Sequence, residues 1–262
     1  MGAARRPAAQ PEIDLIWLRP DRGGRGERPA LSRDQIVRTA IELADEQGLE
    51  AVSTRRIATR LGSGPTSMYW HVPSKADLYE LMFDAALSEV ELPAKPSGDW
   101  RADLRALARS THLMLQRHPW LILLGIQPGL GPNTRRYGEY GTRVLSGLGL
   151  DPQATIEVLA VLNNYINGFA HRETARDQLI KRAGLTEQQW QERLRRYAAD
   201  SRDRDPDLAR DVEIRMHLTS NGSFEFGLDC VLDGIAVRFL DQGPRRGGSG
   251  RRAASRGAGD QP

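Results

Sequence analysis

Apolar positions along the chain recur three and four residues apart, and strand-like alternation is almost absent; this periodicity predicts an all-α protein. The first clear stripe is Ile36, Ala40, Leu43 and Ala44. Ser32 with Gln35 makes a capping box before it and Gly48 supplies a stop, giving a helix over about 33–47. Ser53 or Thr54 caps a short second helix that carries Ile57, Ala58 and Leu61 on one face and ends at Gly62. A third helix covers about 65–71. The fourth, capped by Ser74 with Asp77, runs to about Glu91, before the Pro93 and Pro96-Ser97-Gly98 loop. Beyond the loop the pattern predicts a helix over 100–117 broken at His118-Pro119, a short apolar segment to Gly125, and helices over about 133–147, 152–175, 186–199 and 223–241. Asp151-Pro152 and Thr186 start two of these.

Two of the later helices are apolar on more than one side. In 156–169, Ile156, Leu159, Leu162, Ile166 and Phe169 occupy one side and Val158, Val161 and Tyr165 another. In 224–240, Phe224, Leu228, Val231, Ile235 and Phe239 form one stripe with Leu232, Ala236 and Leu240 beside it, and Gly227 and Gly234 permit close approach. One core does not use both faces, so the surplus points to a four-helix interface between two copies, the alternative being one large monomeric core.

The region 54–75 has helix-turn-helix spacing. Ala58 and Gly62 stand four apart and Met68 follows six later, so Ile57, Leu61 and Met68 share a small core while Gly62 allows the turn. Arg55, Pro65, Thr66, Ser67, Tyr69, Trp70 and His71 are left outside. Such side chains can reach phosphates, sugars and base edges. Adjacent helical residues point about 100° apart, so at least one of Tyr69 and Trp70 faces outward; His71 by itself reads more readily as structural. Lys75, near a helix start, adds a cation beside free amides, a natural phosphate site.

Charge divides the chain in the same sense. Residues 1–75 carry twelve basic and nine acidic side chains, net +3, and residues 244–262 carry five arginines and one aspartate, net +4; with a total of +3, the stretch between is net −4. An anionic partner therefore belongs to the ends. Residues 1–30 read as a flexible basic arm whose Arg19, Arg22, Arg25 and Arg28 could enter a minor groove or be a solvated linker. Residues 243–262, with Arg245, Arg246, Arg251, Arg252 and Arg256, read as a disordered solubilising tail. No apolar run is long enough to cross a bilayer, and the N-terminus has no secretory pattern, so a cytoplasmic protein without a membrane partner is expected. Cys230 is the single cysteine. It has no disulfide partner, and His112, His118, His171 and His217 lack metal-site spacing, so neither a metal nor another cofactor is expected.

The run LSRDQIVRTAIELADEQGLEAVSTRRIATRLG followed by TSMYWHVPSKADLYELM resembles the DNA-binding domain of the TetR family over residues 31–84, and YWHV with the lysine three residues later resembles the tetracycline repressor branch. The resemblance implies a helix-turn-helix domain with its linking fourth helix over 31–92 and a larger ligand-binding and dimerisation domain over 93–242. By position it implies that Arg55, Pro65, Thr66 and Tyr69 face base edges and that Thr54, Ser67, Trp70, His71 and Lys75 hold phosphates. Gly64 and Pro65 depart from the family pattern, so an operator sequence does not carry over. The resemblance further implies a small-molecule effector, with Thr111, Trp120, Asn164, Asn167 and His171 as candidate lining; the asparagines could equally make interface hydrogen bonds or lie on an exposed edge. The tetracycline repressor itself acts through a magnesium–drug complex, which the histidine spacing here does not support. The expected function is a homodimeric repressor released from a palindromic operator by an effector. The alternatives are a DNA-binding activator or architectural protein without an effector and, remotely, an all-α enzyme using His171 with Glu173.

Overall fold

The computed structural model describes residues 16–19, 31–124, 129–217 and 220–239, and among them no strand occurs. The described residues form ten α-helices: α1 Arg33–Gln47, α2 Thr54–Arg60, α3 Pro65–His71, α4 Lys75–Leu87, α5 Trp100–Arg117, α6 Pro132–Leu145, α7 Pro152–Arg182, α8 Glu187–Ser201, α9 Pro206–His217 and α10 Ser220–Phe239. Local caps set the starts. The Ser32 hydroxyl accepts from Gln35 N while Gln35 returns a bond to Ser32 N; Ser53, rather than Thr54, caps α2; and Asp151 caps α7 ahead of its N-terminal proline.

Three elements differ from the sequence expectation. Helix α4 ends at Leu87, where the Ser88 hydroxyl turns back to Ala85 O at 2.6 Å. Helix α7 continues to Arg182, because its apolar stripe fades after residue 175 but nothing breaks the backbone before Gly184, at φ 64. Helix α9 lies between two expected helices, where none was expected: it is polar on most sides, although Asp205-Pro206 repeats the cap-and-proline start of Asp151-Pro152 and Asp205 Oδ1 accepts from Leu208 N at 3.0 Å.

A continuous core runs from α1 to α10. Ile36, Ile57 and Met68 close the trihelical head, Leu78 and Met82 of α4 carry it onward, and Leu104, Leu107, Leu162, Ile166, Phe224 and Leu228 fill the body. The core also takes in Ile16, which is 3% exposed in a 3-10 turn over Ile16–Leu18. That part of the expected flexible arm is packed, because its apolar island has an apolar groove to fill. Arg22, Arg25, Arg28, Gly125, Leu240 and the C-terminal arginines lie outside the described residues.

An antiparallel ion-pair ladder fixes α10 against α5: Arg101, Arg105 and Arg109, four residues apart, meet Asp233, Asp229 and Glu225. The Arg105 guanidinium, hydrogen-bonded to Asp229, holds that carboxyl below the usual aspartate range. At Gly227, α10 approaches α7 so closely that a Cβ would stand 2.5 Å from Tyr165 Oη, while Tyr165 donates to Phe224 O at 2.7 Å.

Candidate nucleic-acid interface and effector cavity

Met68 and Val72 anchor α3 in the head, at 0% and 3% exposure. Gly62, at φ 63, turns the chain between α2 and α3. What remains on the surface is a continuous polar and aromatic face: Arg55, Pro65, Thr66, Ser67, Tyr69, Trp70 and Lys75 are exposed and Thr54 is half-buried. Tyr69 and Trp70 both face outward. His71 does not. It is buried at 8% exposure, because it stands three residues from Met68 and shares its inner face, and so differs from the other expected phosphate contacts.

The three arginines of α2 are not equivalent. Arg60 forks onto Glu46 at 2.9 and 2.7 Å and Arg56 turns to Gln47, whereas Arg55 has no side-chain partner among the described residues. Five donors therefore project from the head unneutralised. Lys75 sits in the first turn of α4 with its ammonium 5.2 Å from the centre of the Tyr79 ring.

A cavity of about 660 Å³ lies between α4, α5, α6 and α7. Phe83, Leu87, Met114, Leu115, Leu121 and Ile122 form its apolar wall; Thr111, Thr134, Tyr137, Asn163, Asn164, Asn167 and His171 form the polar one. Thr111, Asn164, Asn167 and His171, four of the five candidate lining residues, are among them. Trp120 does not line it: the indole is 3% exposed and donates to Asp45 Oδ1 at 2.6 Å. The polar wall is internally bonded, Tyr137 Oη donating to Asn163 Oδ1 at 2.7 Å and Asn167 Nδ2 to Asn163 O at 2.8 Å. Burial pushes the Tyr137 phenol up to about 12, so it is a neutral donor at physiological pH. No lining residue among those described is acidic, and the one imidazole does not make a metal-binding set. Glu173, which the enzyme alternative sets beside His171, has its Oε2 2.6 Å from His112 Nε2.

The sequence reading missed how the cavity is joined to the head. Asp84, on α4 between the lining residues Phe83 and Leu87, is 3% exposed and caps α6 from outside: Oδ1 accepts from Thr134 N and Oγ1 at 2.8 and 2.9 Å, and Oδ2 from Asn133 N and Nδ2 at 3.3 and 3.0 Å. Gly131, the cap residue of α6, offers no side chain for this. The available signal was an acidic residue three positions from both Leu81 and Leu87 on a buried face. On the opposite side, His118 has a carboxylate at each ring nitrogen, Asp45 of α1 at 2.8 Å and Glu89 at 2.9 Å.

Comparison with known proteins accounts for nearly all of this. A family model described as bacterial regulatory proteins, tetR family, matches residues 36–82, and one described as tetracyclin repressor-like, C-terminal domain, matches residues 92–239. The chain belongs to the TetR family of transcriptional regulators. It is 33% identical to the HTH-type transcriptional repressor DrrR1 of Streptomyces coeruleorubidus over 86% of this chain and 84% of that protein. It is 30% identical to the class A tetracycline repressor from transposon 1721 of Escherichia coli over 83% and 98%. The crystal structure of the TetR family protein ActR of Streptomyces coelicolor with actinorhodin superposes with a TM-score of 0.68 at 28% identity, covering 80% of this chain and 98% of ActR. The chain is accordingly a ligand-responsive DNA-binding regulator. No helix among the described residues is long and apolar enough to cross a membrane.

In a TetR-type body, the uncovered faces of α7 and α10 are of interest. The single chain leaves Ile156 and Val161 of α7 at 68% and 50% exposure and Phe226 and Val237 of α10 at 74% and 56%, with Cys230 also exposed. Of these, Val161 stands on the expected second side of α7, whereas Ile156 stands on the first and Phe226 and Val237 on neither expected stripe of α10. Val158 and Leu232, expected on the second sides, are core instead, in a body where α7 packs on α5 and α6 and α10 packs on α7 and α5; beside Gly234 a Cβ would meet open space.

Proposed function

We propose that this TetR-family regulator is a homodimeric repressor that occupies a palindromic operator and leaves it when a small molecule fills the cavity between α4 and α7. One observation carries the reading: α4, which adjoins the recognition helix, also supplies Phe83 and Leu87 to the cavity wall and grips α6 through Asp84. An effector that prefers a different spacing of α4 and α6 would shift the heads by population shift. The names of DrrR1 and the class A tetracycline repressor support repression as the direction.

In this reading residues 31–92 form the DNA-binding unit and 93–242 the effector and dimer unit. Arg55, Pro65, Thr66 and Tyr69 meet base edges, and Thr54, Ser67, Trp70 and Lys75 hold phosphates. The exposed faces of α7 and α10 join two copies so that the α3 helices stand one DNA turn apart, about 34–36 Å. The lining favours an uncharged, mostly apolar effector with hydrogen-bonding groups along one edge, facing Tyr137 and the asparagines, and taken up without a metal. Its place of work is the cytoplasm, where it acts by binding and not by catalysis.

The test is a selection of duplexes from a random-sequence pool, followed by footprinting and by titration of the bound complex with actinorhodin and a panel of neutral polycyclic compounds. A short symmetric footprint, a dimer by sedimentation and release by a panel member support the proposal. Uniform, salt-sensitive binding to all DNA would favour an architectural role instead.

A further inference from the structure

The family models begin at residue 36, yet the chain is already seated twenty residues earlier. Ile16 is in the common core, and the Trp17 indole N–H donates to Glu80 Oε1 of α4 at 3.0 Å. The same oxygen accepts from Leu130 N, in the loop entering α6, at 3.3 Å. The indole also abuts the cap of α6: a Cβ on Gly131 would stand 2.6 Å from Trp17 Cζ2. Glu80 Oε2 is buried with no hydrogen-bond partner, so this carboxylate's compensation for burial comes through the two bonds at Oε1. The return to α1 is tied as well, Arg33 donating to Arg19 O at 3.3 Å.

We infer that Ile16–Arg19 is a cross-brace and that Trp17 is a positioning residue for operator recognition. By wedging the indole between α4 and the N-terminus of α6, the brace fixes the angle at which each head leaves the body, and hence the spacing of the two α3 helices. The inference rests on the dimeric, operator-binding reading above. The lever arm is adequate. Helix α4, with 13 residues, is about 20 Å long, so a tilt of about 10° moves its end by about 3.4 Å, the rise of one base pair. An unbraced α4 samples such tilts, and a dimer that samples them distinguishes poorly between operators whose half-sites differ in separation.

The test uses a duplex selected by the wild-type protein and the same duplex with one base pair inserted at its centre, with affinities measured by fluorescence anisotropy on the full chain. Wild type should prefer the selected spacing. Trp17→Ala should lower that preference by about tenfold, the scale of losing a hydrogen bond to a buried carboxylate, with dimerisation intact. Trp17→Phe, which keeps a ring beside Gly131 but no N–H, should fall between, and carries the test if the alanine variant does not fold. Glu80→Gln retains an acceptor for the indole and should retain the preference. Wild-type preference in both Trp17 variants, or equal weakening on both duplexes, would overturn the brace. A monomeric wild type, or one that selects no symmetric site, would instead overturn the dimeric reading and the brace with it.

Discussion

Replacing Asp84 by alanine removes the external cap of α6. Two backbone amides, Asn133 N and Thr134 N, lose an acceptor together with the Thr134 hydroxyl and the Asn133 carboxamide. The site is almost closed to water, Asp84 being 3% exposed, so the amides cannot be fully rehydrated. At about 1–3 kcal/mol for each buried donor left unmade, the two amides alone set an expected loss of about 2–6 kcal/mol. Against a typical domain stability of about 5–15 kcal/mol this is a large fraction. Asp84→Asn keeps one carbonyl acceptor for Thr134 but turns an NH2 toward Asn133, so its cost should be about half. The assay is urea unfolding followed by far-ultraviolet circular dichroism, with the slope unchanged if only stability has moved. Asp84→Ala within about 0.5 kcal/mol of wild type would refute the assignment, because that is the scale of an ordinary surface substitution.

At the DNA face, Arg55→Ala or Tyr69→Ala should each cost about 1–3 kcal/mol in binding to the selected duplex with dimerisation unchanged, and Lys75→Ala should lower the salt slope by about one, all read by anisotropy. His71→Ala should leave that slope unchanged and reduce thermal stability instead, as a core truncation does. For Tyr137 the sign is fixed by burial: its folded value of about 12 lies above the ordinary 10, so the neutral phenol's contribution is complete below about pH 10 and is lost as pH rises toward 12, a decline that Tyr137→Phe should flatten in unfolding measurements. If α10 joins the proposed dimer, Phe226→Asp on its exposed face should give a monomer by sedimentation while preserving helical content.

The recognition face was legible because its determinants are local. A glycine turn, a proline in the first helical turn and one buried methionine orient α3; Thr66, Ser67, Tyr69 and Trp70 emerge exposed as their spacing from Met68 requires, and Pro65 is exposed at the helix start. The burial of His71 is local as well, since it follows Met68 by three residues on the inner face. The cavity was half legible. Asn164, Asn167 and His171 recur at helical spacing on α7 and reach it together, whereas Trp120 is claimed by Asp45, 75 residues away, a distance over which sequence pattern carries no information. The exposed faces of α7 and α10 were foreseen as a property but not residue by residue, because which stripe is surplus depends on where α5 and α6 lie.

The sequence by itself determined the helices and most of their ends, the helix-turn-helix and its outward side chains, since capping, turn conformation and amphipathic spacing act within a few residues. The tertiary structure alone decided that Trp17 belongs to Glu80, that Asp84 belongs to α6, and that α4 is at once a wall of the cavity and the neighbour of the recognition helix. Those are pairings between groups about 50 and 63 residues apart. Their energies arise from burial and from donors that find their acceptors only after the chain has closed on itself.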